Sequence, residues 1–262
     1  MVSLLNGGLA LPTYAPPRVF ERGVGGAPTL VQNVETLAHI ALIARFGPGW
    51  FRAAGTGAEP GTTLCTVHHA DGTMRVVEVA LGTPLSSLLG HDLAGPVLIG
   101  GYHGSWVPAD RAANLTLDNA ALAAAGGILG AGVVAALPAG RCGLAETARV
   151  VRYLALESAG QCGPCLNGLP RIAEAVAELA GPRPGRQVRA NVERWAGLVS
   201  GRGACTHPDG SVRFVRSALE VFSAELGHHA SGRCTATPGR PFLPLPPEAP
   251  PDRATPSDRD WS

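Results

Sequence analysis

The strongest constraint on the fold is a change of hydrophobic period near residue 141. Residues 62–69 and 73–79 alternate as β-strands do, and Ala70-Asp71-Gly72 between them favours a hairpin because glycine tolerates positive φ. Beyond Arg141, apolar residues recur at three- and four-residue spacing to about residue 230, which is the helical period. The sequence therefore predicts an α+β protein, with a strand-containing part followed by a helical part.

The first of these parts, residues 60–140, has the element order of a small β-grasp-like domain. After the hairpin, Gly82-Thr83-Pro84 favours a short helix with Thr83 as its N-cap and Pro84 at its first position. A buried strand is expected at residues 96–101. Residues 120–137 are uncharged and about as long as the shortest membrane-spanning helix, but their glycines disfavour one continuous helix. We expect a short helix, a glycine turn and a strand there, without direct membrane insertion.

The helical part, residues 141–230, is expected to be a four-helix bundle. Four apolar stripes begin near Leu144, Ile172, Val188 and Val212, and the last of them continues with helical spacing to Leu226. Brief connections between short helices are typical of such a bundle.

The two ends of the chain have weaker patterns. Residues 1–59 predict a lead-in segment and one helix, capped by Asn33 and ended by Gly47-Pro48. Residues 231–262 are rich in proline and poor in apolar anchors, so we expect a disordered tail.

Charge and cysteine content narrow the function. The net charge is +1, from 21 basic and 20 acidic residues, which gives no reason to expect a nucleic-acid partner or an anionic membrane surface. The first residues lack the pattern of a secretory signal, which favours a cytoplasmic location. In a reducing compartment, six cysteines indicate metal or redox chemistry more often than disulfides.

Three cysteines form the most informative pattern. Cys162 and Cys165 make a Cys-x-x-Cys pair at a turn between two predicted helices, and Cys205 lies in a later interhelical loop. If both loops lie at the same end of the bundle, three thiolates converge on one inorganic centre. The amides at the start of the following helix then favour a negatively charged cluster.

Three other interpretations of these cysteines are open. They can be unrelated small buried residues. Cys162-Gly163-Pro164-Cys165 can be a dithiol redox centre, although a helix rather than a strand leads into it. Cys162, Cys165, Cys205 and His207 can also form a structural zinc site of the Cys₃His type, which sequence spacing alone does not distinguish from an iron–sulfur site.

Three collinear blocks resemble the NADH-binding flavoprotein subunit of respiratory complex I and the related subunits of NAD-linked hydrogenases and formate dehydrogenases. The first block runs through Asn33-Val34-Glu35-Thr36. The second, residues 61–64 and 79–85, is similar to the family's soluble ligand-binding β-grasp (SLBB) domain. The third joins residues 157–165 with Cys205 and resembles the family's [4Fe–4S]-binding helical domain. The resemblance covers roughly residues 1–230.

The chain departs from the family pattern in its cysteines. The family has a cysteine where this chain has Ala159, so that only Cys162, Cys165 and Cys205 carry over as ligands. His207 is the candidate fourth ligand because imidazole can replace thiolate on iron. Cys142 and Cys234 are weaker candidates.

A second departure concerns the flavin. The family's FMN- and NADH-binding domain precedes the first block, and this chain has no glycine-rich phosphate loop in a strand–helix setting. Residues 1–59 therefore resemble the edge of that domain, and FMN is expected only with a separate or missing domain. Asn33 and Thr36 match positions that touch the flavin in the family, and Val31 and Gln32 adjoin them, although helix capping is an alternative explanation for Asn33.

The resemblance implies an oxidoreductase component that relays electrons through a [4Fe–4S] cluster. The electrons would pass from a flavin to a redox partner such as a ferredoxin or a complex I-like subunit, and the chain alone is not expected to oxidise NADH. The alternative is a non-catalytic binding or assembly module with a structural zinc ion or no metal. The histidine pairs, His68-His69 and His228-His229, are interpreted as structural residues, the second pair exposed at a helix end.

Overall fold

The computed structural model describes residues 1–9, 16–237 and 239–247. Its helices, in chain order, are α1 (Val2–Leu5), α2 (Val34–Phe46), α3 (Pro48–Arg52), α4 (Leu85–Leu89), α5 (Ala109–Ala112), α6 (Asn119–Ala124), α7 (Gly143–Leu156), α8 (Leu169–Leu179), α9 (Val188–Val199), α10 (His207–Val221) and α11 (Ser223–Ala230). Its strands are β1 (Thr62–His68), β2 (Met74–Ala80), β3 (Val97–Ile99), β4 (Ser105–Val107) and β5 (Val133–Ala136). The chain is a mixed α+β protein, as the change of period predicts.

The strands form one five-stranded sheet in the order β2-β1-β5-β3-β4. The hairpin of β1 and β2 is antiparallel, with Thr62 opposite Ala80 and His68 opposite Met74. β5 lies between β1, to which it is parallel, and β3, to which it is antiparallel. Leu85 of α4 and Leu122 of α6 are fully buried in the apolar core of this half.

The uncharged residues 120–137 form the predicted helix, turn and strand. α6 ends at Ala124, and β5 begins at Val133 after a glycine turn. A side chain at Gly130 would place its Cβ 2.5 Å from the carbonyl oxygen of Gly100, so the turn requires glycine. Among the described residues, no helix is both long and apolar enough to cross a membrane.

The predicted cap of α4 is wrong. The helix begins at Leu85, one residue later than expected, with Pro84 in extended conformation before it. The Thr83 hydroxyl donates a hydrogen bond of 2.7 Å to the carbonyl of Ala80, so it closes the turn after β2 instead of capping the helix.

Trp106 joins the sheet to the helices. Its backbone N–H donates to the Ser217 hydroxyl on α10 (2.9 Å), and its indole Nε1–H donates to the Thr147 hydroxyl on α7 (3.0 Å). Its ring packs against Phe214 and Phe222, with ring centroids 6.2 and 5.1 Å away. The core of the helical half therefore extends to β4.

The last predicted helix is two helices. The apolar pattern predicts continuous helix from Val212 to Leu226, whereas α10 ends at Val221 and α11 begins at Ser223. The break is at Phe222, whose ring packs so closely on Gly143 that a Cβ there would come within 2.1 Å of it. Tertiary packing of one aromatic ring thus overrides a local pattern that is helical throughout.

The described part of the predicted disordered tail is packed. Phe242 is 8% exposed and Leu243 is 2% exposed. The Glu146 carboxylate accepts hydrogen bonds from the backbone N–H groups of Phe242 (2.8 Å) and Leu243 (3.0 Å). This buried anchor corrects the expectation of disorder for residues 239–247, while residues 248–262 lie outside the described part.

The lead-in helix α2 carries its apolar residues on the surface. The Asn33 side chain caps it as predicted, accepting a 2.8 Å hydrogen bond from the backbone N–H of Thr36. None of its residues is buried, and Val34 is 83% exposed. Its link to the sheet is a 2.7 Å hydrogen bond from the backbone N–H of Leu64 to the Glu35 carboxylate.

Candidate metal centre

The Cys-x-x-Cys pair lies between α7 and α8. After α7 ends, Gly160 has φ +65°, which reverses the chain. Pro164–Gly168 then forms a π-helical turn that continues into α8. Such widened turns occur frequently at functional sites. Cys162 precedes this turn, and Cys165, within it, is 4% exposed.

The loop between α9 and α10 presents Cys205. Its conformation depends on Gly203, where a Cβ would lie 2.6 Å from the carbonyl oxygen of Cys205. The Asp209 carboxylate accepts a 2.7 Å hydrogen bond from the backbone N–H of Gly201, which ties the start of the loop to α10. Cys205 itself is exposed.

The two loops meet at one end of the helical half. The backbone N–H of Ala204 lies close enough to the Cys162 sulfur to lower the pKa of that thiol. Cys205 is also close enough to Cys165 to act electrostatically on that thiol. The structure thus brings together the three cysteines that the sequence pattern singles out.

The two thiols of the pair differ electrostatically. Burial raises the pKa of Cys162, but hydrogen bonds from the backbone N–H groups of Ala204 and Cys165 and from the Cys165 thiol outweigh it, so that the net pKa is lowered. Burial, helped by the hydrogen bond and charge of Cys162 and by the charge of Cys205, raises the pKa of Cys165 to about 11. The backbone N–H of Gly160 donates to the Cys165 sulfur and opposes that rise.

Among the described histidines, cysteines and acidic residues, the set whose ligand atoms all lie within 4.8 Å of one another does not include Cys162, Cys165 or Cys205.

His207 lies at the start of α10, two positions after Cys205, and its ring is already partnered. Its Nε2 is 2.9 Å from the carbonyl oxygen of Leu154, the geometry of an N–H donor. The ring also packs edge-on against His103, with centroids 4.9 Å apart. Nε2 is thereby engaged, which leaves Nδ1 as the ring atom for any metal; the role of His207 as a ligand stays a prediction.

Cys142 and Cys234 are far from these three cysteines. Cys142 is the N-cap of α7, whereas Cys162 follows the other end of the same helix. Because α7 has 14 residues, its ends are about 21 Å apart. Cys142 and Cys234 therefore do not complete the first set.

They belong instead to a second set, which the sequence pattern does not predict. The ligand atoms of Cys142, Glu225, His229 and Cys234 all lie within 4.8 Å of one another. His229 is 2% exposed, so the expectation of an exposed histidine at the end of α11 is wrong for this residue. Burial, a hydrogen bond with Glu225 and the charges of Glu225 and Cys234 raise the pKa of the Cys142 thiol. A local signal existed, since Glu225 and His229 are one helical turn apart.

The residues that match the flavin-proximal positions lie at the start of α2. Asn33 and Thr36 are engaged with each other in the helix cap. Val31 is 47% exposed, and Gln32 is also exposed. Asn33 thus acts as a helix cap in this structure, as its alternative interpretation predicts.

The helical half is similar to a known iron–sulfur binding region. Residues 145–229, which include Cys162, Cys165, Cys205 and His207, match the family described as the NADH-ubiquinone oxidoreductase-F iron–sulfur binding region. The F subunit of the NADH-quinone oxidoreductase of Streptomyces coelicolor is 28% identical over 253 residues, covering 93% of this chain and 55% of that protein. The chain is similar to the NADH-quinone oxidoreductase F subunits over most of its own length.

Other known proteins show a similarity of the same extent. The F 2 subunit of the NADH-quinone oxidoreductase of Rhizobium meliloti is 27% identical over 241 residues, which cover 89% of this chain and 57% of that protein. The chain thus spans about half the length of these F-subunit relatives. The crystal structure of an NAD⁺-reducing [NiFe]-hydrogenase in the H₂-reduced state has the same fold, with a TM-score of 0.75 at 23% identity over 91% of this chain and 40% of that one.

Proposed function

We propose that this chain is an electron-transfer module in which Cys162, Cys165 and Cys205 hold an iron–sulfur cluster. The observation that carries the proposal is the meeting of two loops that are distant in sequence, where the Ala204 N–H lies close enough to the Cys162 sulfur to lower the pKa of that thiol. The region that contains them matches the iron–sulfur binding region of the F-subunit family. The finer fold that accompanies this proposal is an SLBB-like β-grasp domain over residues 60–140 and a helical [4Fe–4S]-binding domain over residues 141–230.

The residues present fit such a cluster. Three thiols lie at the end of the helical half where the two loops meet, and a cluster binds each thiolate through a different iron. Backbone N–H groups of Ala204 and Gly160 favour the thiolate forms of Cys162 and Cys165, respectively. N–H groups in such positions stabilise thiolate charge and tune the reduction potential of a bound cluster.

The three cysteines leave the fourth ligand of the proposed cluster to be assigned. Ala159 supplies none, and Cys142 and Cys234 lie at the other end of α7. We assign the position to His207, whose Nε2 is held by the Leu154 carbonyl. Metal-bound histidines usually donate their second ring N–H to such a carbonyl. The His207 ring is therefore held in one orientation before any metal binds.

When bound, the cluster supplies one-electron transfer without bond formation to a substrate. The cysteines that would hold the cluster differ in their exposure to solvent. Cys165 is 4% exposed, whereas Cys205 is at the surface. A partner that docks beside Cys205 has the shortest path to the centre. The partner class that suits this geometry is a ferredoxin or a complex I-like subunit, in a cytoplasmic and reducing setting that suits free cysteines.

We place the contact with the electron source in the N-terminal part of the chain. α2 and its neighbourhood carry large exposed apolar side chains: Leu30, Val31, Val34, Leu37, Ile40 and Phe46. Apolar surface of this extent indicates a contact with another polypeptide or domain. We assign it to a flavin-binding domain, with Val31, Gln32, Asn33 and Thr36 at its edge. The chain by itself is then an oxidoreductase component, and FMN is bound only with that domain.

The test is metal analysis of the full chain purified without oxygen. We expect iron and acid-labile sulfide together, and an EPR signal after reduction. Cys205→Ser should lower both, because it removes one thiolate. Cys234→Ser is the matched control, since it changes another exposed cysteine outside the proposed cluster. Zinc without sulfide at this site would reject the electron-transfer proposal and favour a binding or assembly module.

A further inference from the structure

The second set of side chains is assembled from three segments of the chain. Cys142 caps α7, Glu225 and His229 lie one turn apart on α11, and Cys234 follows that helix. Their ligand atoms all lie within 4.8 Å of one another. Two sulfurs, one imidazole and one carboxylate are thus directed at one point.

The positions of these atoms are fixed by the fold. The Cys142 sulfur accepts a 3.3 Å hydrogen bond from the backbone N–H of Ala145, which is the capping contact of α7. A Glu225 carboxylate oxygen accepts a 3.2 Å hydrogen bond from the backbone N–H of Gly143. Both donors belong to the first turn of α7, so this helix start holds two of the four groups in place.

His229 is oriented as a ligand would be. Its Nδ1 lies 3.2 Å from the carbonyl oxygen of Leu179, which makes Nδ1 the protonated ring nitrogen. Its Nε2 then carries the lone pair, and it faces the Cys142 sulfur at 3.6 Å. A histidine that donates one ring N–H to a backbone carbonyl and offers the other nitrogen is the usual arrangement at metal sites.

We propose that Cys142, Glu225, His229 and Cys234 bind one Zn²⁺ ion. Thiolate, imidazole and carboxylate are all zinc ligands, and four of them complete a tetrahedral site without a water molecule, which is typical of a structural ion. Bond lengths of about 2.0–2.3 Å require ligand atoms roughly 3.3–3.8 Å apart, so distances within 4.8 Å need to shorten by at most about 1.0–1.5 Å. Because Cys234 is exposed, the ion would enter the site from the side of Cys234.

Zinc here would fasten the segment that follows α11 to the junction of the two halves. Just beyond Cys234, the backbone N–H of Thr237 donates a 2.8 Å hydrogen bond to the carbonyl of Gly140. Further on, the Phe242 ring stacks on His68 of β1 with centroids 4.0 Å apart. The ion would thus hold the start of a segment that packs against both the helices and the sheet.

The test is zinc binding by the full chain after chelation under reducing conditions. We expect about one zinc ion per chain at this site, together with a rise in the thermal unfolding temperature. Cys234→Ser should weaken zinc binding at least about tenfold, as loss of a ligand does. Cys205→Ser is the matched control because it alters an exposed cysteine of the first set. Co²⁺ in place of zinc reports thiolate ligation by visible absorption.

The outcomes separate this site from the proposed cluster. Zinc retained by Cys205→Ser and lost from Cys234→Ser, with iron and sulfide unchanged in the latter, supports the proposal. Unchanged zinc affinity in Cys234→Ser, or zinc lost only from Cys205→Ser, overturns it. A Cys142–Cys234 disulfide in anaerobically purified protein also overturns it. Because Cys234 is exposed, circular dichroism should show the variant folded, and a second variant, Cys142→Ser, should lose zinc in parallel.

Discussion

The backbone N–H of Ala204 lowers the pKa of the Cys162 thiol, although the two residues lie in separate interhelical loops. Because Ala204 immediately precedes Cys205, this proximity places the backbone of Cys205 near the Cys-x-x-Cys pair. The geometry of the cysteine set is therefore a property of two loops that pack together, and either loop can be perturbed without touching a thiol.

Gly203→Ala should disturb the set through the second loop. The added Cβ would lie 2.6 Å from the carbonyl oxygen of Cys205 and 3.0 Å from the Pro208 ring, so the loop must move. We expect reduced iron and sulfide content with the helices intact, measured by metal analysis and circular dichroism. Gly197→Ala is the control: it lies in α9 with open space around it, and should stabilise the protein by about 0.5–1 kcal/mol. Normal iron in Gly203→Ala would contradict the role given to this loop.

Ala159→Cys should strengthen the proposed cluster. Ala159 stands where the related subunits are expected to have a cysteine, and its exposed position leaves room for a thiol. A fourth thiolate would replace the weaker ligand, so the cluster should survive exposure to air longer, as followed by visible absorption. Ser158→Cys adds a thiol one position away and serves as control. Equal lifetimes in both variants would show that position 159 does not face the centre.

Glu146→Gln should weaken the packing of residues 239–247. The carboxylate accepts two backbone N–H bonds, from Phe242 and Leu243, and pairs with Arg149 at 2.8 Å. An amide replaces one acceptor by a donor, so we expect a loss of about 1–3 kcal/mol from the free energy of unfolding. Proteolysis near residues 239–247 should become faster. Glu193→Gln removes an exposed pair with Arg189, where the loss should be below about 0.5 kcal/mol. Equal losses in the two variants would argue against the anchor.

Local chemistry made much of the fold predictable. The β1–β2 hairpin follows from Ala70-Asp71-Gly72, and the start of α2 follows from Asn33, whose partner is three residues away. The break at Phe222 and the anchor at Glu146 were not predictable, because each depends on a residue far along the chain. Burial against such a partner leaves no local pattern.

The same distinction applies to the two cysteine sets. The meeting of Cys162, Cys165 and Cys205 could be inferred from helix lengths and short loops. The second set could not, because Cys142 and His229 are separated by 87 positions and only the spacing of Glu225 and His229 leaves a local signal. Its recognition requires the break between α10 and α11, which points α11 at the start of α7.

Acidification should destabilise the stacking contact between His68 and Phe242. Burial, together with the charge of His69, lowers the pKa of His68, with Asp71 and Glu146 opposing the shift. The unfolded chain therefore binds the proton more readily, and stability should fall as the pH drops below about 6.5. His68→Asn should reduce, but not abolish, the fall in unfolding temperature between pH 7 and pH 5, because burial lowers the pKa of His103 as well. A pH dependence as steep in His68→Asn as in the unmodified protein would exclude His68 as a source.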